Sequence, residues 1–200
     1  MLDLLDYRRR VFELYQTVRS ADNPAAAWTL WRNARDDLFR HHPQSALDEA
    51  QKASFAGLPY YDYDPAFRVI APVDDKVEAI EHAGEIGDDG HIAYRRFGRV
   101  KFDLPTGSGE LSLFWITGYG GGVFIPFRDA TNRQTTYGAG RYLVDTIKGA
   151  DLGGTESGIV LDFNFAYHPS CAYNPRWVCP LAPQENWLTF PITAGEKLMG

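Results

Sequence analysis

The side chains of this chain that can do chemistry concentrate in residues 162–186, DFNFAYHPSCAYNPRWVCPLAPQEN. Asp162 and Asn164 open the stretch two residues apart, so strand geometry puts a carboxylate and an amide on one face. Asp162, or Glu185 near the far end, is a candidate general acid or base. An arginine pointing inward from a strand needs a carboxylate partner, and Asp162 is the natural one for Arg141. Arg128 and Asp129 are adjacent, a pattern that fits half of an anion clamp or a structural ion pair with an Asx-type turn at Thr131. Tyr137 and Tyr173 complete the set. Two arginines among tyrosines point to a small polar or anionic ligand held by Arg128, Tyr137, Arg141, Asn164 and Tyr173.

Cys171 and Cys179 stand eight residues apart, with His168 three before the first. Zinc knuckles place their cysteines closer, so this spacing is a weak metal signal, with His168, Cys171 and Cys179 as the weak ligand candidates. Free thiols packing the loop, a disulfide across a short interval, and a nucleophilic cysteine served by His168 are the other readings. Gly138-Ala139-Gly140 and the run Gly118–Gly122 lack the lysine and the helix of a phosphate loop, so they read as turns or bulges.

These residues need elements to position them. Residues 3–20 carry Tyr7, Val11, Leu14, Tyr15 and Val18 on one helical stripe. Asn23-Pro24 opens a second helix to about Arg40, with Ala27, Trp31, Ala34 and Leu38 inward. Ser45 with Asp48 resembles a capping box for a short third helix ending before Gly57. After Gly57 alternating patterns and turn residues predict about eight strands: 67–72, 76–82, 92–104, 111–116, 123–127, 137–147, 157–164 and 187–192. The expected class is α+β: a mostly antiparallel β barrel or sandwich with two or three N-terminal helices packed on it. Residues 1–56 are the helical segment and 57–200 the β domain, one structural unit, with a proline-rich loop at 165–186 stiffened against helix formation.

Composition narrows the partners. A net charge of -6 and no Lys/Arg stripe argue against nucleic acid. No apolar run approaches the roughly 20 residues of a membrane helix, and MLDLLDYRRR has charges where a signal peptide needs apolar residues, so a cytoplasmic protein is expected. No cofactor is expected, and a homodimer is left open.

The strings FAGLPYYDYDPAFRV, FIPFRDAT, TYGAGRYL, LDFNFAYHPSCAY, CPLAPQENWL and ITAGEK, in this order over roughly residues 28 to 198, resemble a bacterial and archaeal family known as domain of unknown function 1684. The resemblance implies no activity. His168 departs from the family pattern, which has Asn there, and this weakens any role needing an imidazole. Function is therefore read from the residues: a small polar or anionic ligand in a pocket at one end of a β barrel, with acid/base, hydrolase-like chemistry at Asp162 or Glu185. The alternatives are a structural or interaction module whose polar cluster rigidifies the loop, and, more weakly, a metal-binding protein.

Overall fold

The structure, a computed structural model, describes residues 1–85 and 90–199. Three helices come first: α1 (Leu2–Arg19), α2 (Pro24–His41) and α3 (Glu49–Ala53). The Asn23 side chain accepts from the amides of Ala25 and Ala26, and Pro24 takes the first turn, where its missing N–H costs nothing. The capping box of α3 is real but shifted. Asp48, rather than Ser45, is the cap; it bonds the Gln51 amide while the Gln51 side chain returns to the Asp48 amide. The Ser45 hydroxyl is instead drawn to the Phe39 carbonyl at 2.6 Å.

The strands are β1 (Arg68–Ala71), β2 (Val73–Asp74), β3 (Glu81–Glu85), β4 (His91–Leu104), β5 (Gly107–Ile116), β6 (Gly122–Phe127), β7 (Arg141–Asp145), β8 (Gly154–Thr155) and β9 (Gly158–Asp162). All pairings are antiparallel. One sheet runs β2-β4-β5-β6-β7 with β3 added on β4; a smaller one runs β1-β9-β8. The two sheets share no strand pairing among the described residues, so the fold is a sandwich-like α+β arrangement and does not close into a barrel. The register of β6 against β7 shifts at Pro126, which has no N–H to give to a ladder.

The expected strand at 187–192 is absent. Its backbone docks on the end of β6 through single bonds, Leu188 N–H to Arg128 O at 2.8 Å and Ala130 N–H to Phe190 O at 3.2 Å, and Pro191 breaks the run. The expected 76–82 strand begins only at Glu81, and 137–140 forms a turn ahead of β7.

Three apolar clusters hold these parts together. Phe67, Leu111, Leu113, Ile125, Phe127, Leu161, Phe163 and Ile192 fill the space between the sheets. Trp28, Trp31, Tyr15 and Phe39 of the helices pack on Tyr60, Phe165 and Tyr173. Tyr94, Phe114, Phe124 and Tyr142 form the third cluster, on the larger sheet. The proline-rich loop lies over this third cluster: Tyr142 donates to Pro180 O at 2.5 Å and Tyr94 to Leu181 O at 3.2 Å. Asp162 and Asn164 lie elsewhere, covered by the helices and residues 63–64.

Candidate functional site

The sequence-predicted residues separate into three places. The first is a buried ion network. Gly140 has φ +102°, and an added Cβ would lie 2.3 Å from Phe127 O, so only glycine lets β7 start this close to the end of β6. Arg141 follows it and is fully buried. Its guanidinium donates to Asp129 Oδ2 at 2.8 Å, to Ile192 O at 2.9 Å and to the Ala194 carbonyl. The partner is thus Asp129, not Asp162. The expected Asx-type turn is present: Asp129 Oδ1 accepts from the Thr131 amide at 2.8 Å and hydroxyl at 2.5 Å, and also from the Ile192 amide at 3.2 Å. Arg128 points elsewhere, its guanidinium 4.1 Å above the Trp187 ring, so the neighbours do not form a joint clamp.

The network continues through a residue that sequence reasoning missed. Gly195 has φ +79°, and a Cβ there would meet Phe163 O at 2.6 Å and Ala166 O at 2.7 Å. Its freedom brings Glu196 into the core, fully buried. Glu196 pairs with Arg35 at 2.8 Å, accepts from the His168 amide at 3.1 Å and takes the Tyr173 hydroxyl. Burial pushes the Glu196 carboxyl up, while Arg35 and the Tyr173 hydroxyl pull it down. Burial, then the charges of Arg141 and Arg35, hold the His168 imidazole well below its usual value. His168 Nε2 accepts the Tyr137 amide at 3.1 Å, so the proton of this neutral ring sits on Nδ1, 3.7 Å from Glu196 Oε1. The signal for Arg35 was a charge on the apolar stripe of α2 between Trp31 and Phe39. For Glu196 it was the Gly-Glu pair inside ITAGEK.

The second place is Asp162, the last residue of β9. Its Oδ1 caps a tight turn over Phe163–Phe165, accepting from the Asn164 amide at 3.0 Å and side chain at 2.8 Å. This turn ends the strand, so the two residues meet by capping rather than by sharing a strand face. Asn164 is saturated: its amide group also bonds both backbone groups of Asp64, at 2.8 and 3.0 Å, and its carbonyl accepts the Trp28 indole at 2.9 Å. Asp162 is 1% exposed, yet among the described residues no hydrogen-bond donor reaches its Oδ2. Arg68, its cross-strand neighbour on β1, places Nε 3.6 Å away, close enough for attraction but not for a hydrogen bond. Burial dominates and raises the Asp162 carboxyl to about 6, with the Asn164 bonds and Arg68 opposing. Asp162 lines a cavity of about 60 Å3 with Arg19, Pro24, Arg68, Val160 and Phe165, at the junction of the helices and the smaller sheet.

The third place is Glu185, on the far side of the larger sheet. It lies 3.5 Å from Arg96 and 3.7 Å from His82 and meets none of the other candidates. Of the weak metal candidates, His168 has both ring nitrogens turned to protein groups, and Cys171 and Cys179 carry free thiols. Among the described residues no three His, Cys, Asp or Glu side chains gather as a metal site would require. None of the described helices is long and apolar enough to cross a membrane.

The fold is a sandwich-like α+β arrangement in which one buried ion pair, Arg35–Glu196, ties α2 to the C-terminal segment. The chain belongs to the family described as a protein of unknown function, DUF1684, whose pattern matches residues 53–197. It is similar to an uncharacterised protein of Haloarcula marismortui solved by solution NMR, at 35% identity over 83% of this chain and 89% of that one, with a TM-score of 0.60. Comparison with functionally curated proteins finds no match.

Proposed function

We propose that this protein binds the donor-bearing end of a small polar molecule at Asp162. The observation that supports this is a carboxylate oxygen buried from water, without a protein donor, on a residue lining a cavity. Such a group is costly to bury unless something hydrogen-bonds it, and a ligand hydroxyl or amine does so. Arg19 and Arg68 line the same cavity and suit an anionic group on the remainder of the molecule. A carboxyl that titrates at about 6 can take or give a proton near neutrality, so acid/base chemistry, if the site has any, falls to Asp162. Glu185 lies outside this pocket.

The test is a thermal-shift screen of small hydroxy acids, amino acids, sugars and phosphates on the wild type and on Asp162→Asn. A ligand at about a hundred times its Kd raises the midpoint by roughly 5–10 °C. The rise is expected in the wild type and lost in the variant. A ligand that shifts both proteins equally binds elsewhere, and a screen without any shift in the wild type rejects the reading.

A second reading has its own support. Both terminal nitrogens of the fully buried Arg141 guanidinium donate to protein acceptors, while its Nε has no acceptor among the described residues. This favours a structural role for the Arg141–Asp129 and Arg35–Glu196 pairs, as a network that rigidifies the loops around it.

A further inference from the structure

The turn Tyr137-Gly138-Ala139-Gly140 is not a phosphate loop of the lysine-and-helix kind, yet it gathers donors of its own. The Gly140 amide donates to Tyr137 O at 3.0 Å and closes the turn. The two amides inside it, of Gly138 and Ala139, have no backbone acceptor among the described residues, and both residues are partly open to solvent.

Two arginine stems lie on this turn. A Cβ at Gly138 would stand 2.9 Å from Arg133 Cγ and 3.3 Å from its Nε. A Cβ at Gly140 would stand 2.9 Å from Arg128 Cγ. Glycine at both positions is what seats both stems. The two seats are two residues apart in the chain, so their Cα atoms lie within about 8 Å of each other.

Each arginine is also held from its own side. Arg128 donates its backbone N–H to Asn186 O at 2.9 Å and accepts the Leu188 N–H at 2.8 Å. These bonds straddle Trp187 and set the Arg128 guanidinium over its ring. Arg133 has φ +66°, alone among the described non-glycine residues in being positive. Such a conformation costs free energy and clusters at ligand clamps. Asp129, the acid nearest to both arginines in the chain, is taken up by Arg141, so it does not neutralise them. In a chain of net charge -6 this makes a local cationic spot.

We propose that the turn binds a phosphoryl group, gripped by the guanidiniums of Arg128 and Arg133 and by the Gly138 and Ala139 amides. A phosphoryl group brings about two negative charges and three acceptor oxygens. The planar guanidinium fork matches such oxygens, and successive turn amides make an anion-binding concavity. The stacking of Arg128 on Trp187 holds its fork ready before the anion arrives. This site shares no residue with the cavity at Asp162.

The probes are inorganic phosphate and pyrophosphate, titrated at low ionic strength because salt screens exposed charges. Saturable binding by calorimetry is expected, with NMR shifts at the amides of Gly138 and Ala139. Arg128→Gln and Arg133→Gln should each weaken pyrophosphate binding about fivefold or more, and the double variant should abolish it. Arg128→Lys keeps the charge without the fork and should fall between Arg128→Gln and the wild type. Arg95→Gln, at an exposed position on β4, is the control and should bind as the wild type does. Absence of saturable binding, amide shifts confined to other segments, an equal loss in Arg95→Gln, or acetate binding as tightly as pyrophosphate overturns the proposal. Loss of binding in Asp162→Asn overturns it too, because the anion then sits in the other pocket. The wild-type amide shifts decide the matter even if a variant fails to fold.

Discussion

Two aspartates, Asp129 and Asp162, begin in the same way and end differently. Each caps a turn two residues on through its Oδ1, Asp129 at Thr131 and Asp162 at Asn164. Each has a guanidinium near its Oδ2. For Asp129 the guanidinium is Arg141, at 2.8 Å and fully buried with it. For Asp162 it is Arg68, at 3.6 Å and about one-third exposed. The first carboxylate is complete and has nothing left to offer a ligand. The second has an oxygen to spare. A buried charge therefore says little by itself about function; the partners left over do.

Breaking the complete pair should have the largest effect. Arg141→Met removes one partner and leaves Asp129 buried without its counter-charge, at a cost of about 3–5 kcal/mol. Urea unfolding of the variant measures this. A loss under 1 kcal/mol would show that the two aspartates are less different than their surroundings indicate.

Asp162→Asn should act in the opposite direction. An Asn oxygen can accept the same two bonds from Asn164, and the charge that burial penalises is gone. Because the folded carboxyl titrates at about 6, above its ordinary value, the folded chain holds the extra proton between the two values. The wild type is then most stable below the ordinary carboxylate range and loses stability as pH rises through about 6. The variant should gain up to about 3 kcal/mol at pH of about 7.5, and the gain should vanish near pH of about 4. A gain that is the same at both pH values would remove the titration argument.

His168→Asn should have the smallest effect, within about 1 kcal/mol. An amide oxygen can accept the Tyr137 N–H and an amide nitrogen can face Glu196, so the polar contacts of the imidazole can be kept while its packing on Tyr137 and Tyr173 is lost. A large loss, measured in the same urea titration, would show that the ring contributes by packing or charge.

The sequence was most legible where one pattern decided the outcome. Asn23-Pro24 set the start of α2, and alternation set β4 and β5. The wrong readings shared a cause: a local pattern competed with a partner distant in the chain. Ser45 looked like a cap, but the Phe39 carbonyl and the Asp48–Gln51 pair decided the matter. Residues 187–192 looked like a strand, but their bonds go to the turn after β6. Of the candidate site, Arg141, Asp162 and Tyr173 were visible as residues, while Asp129 as the partner of Arg141 and Glu196 as the centre of the network were not. Pairings of this kind depend on which segments meet, and periodicity carries no information on that.

The Arg35–Glu196 contact joins positions 161 residues apart. Closing so long a loop is slow, and the reward comes only when it is closed. The hairpins can zip early from near neighbours, while two charges wait unneutralised at opposite ends of the path. The contact is therefore expected to close late: until Glu196 reaches Arg35 both charges stay hydrated, and α2 lacks its buried tie to the C-terminal segment.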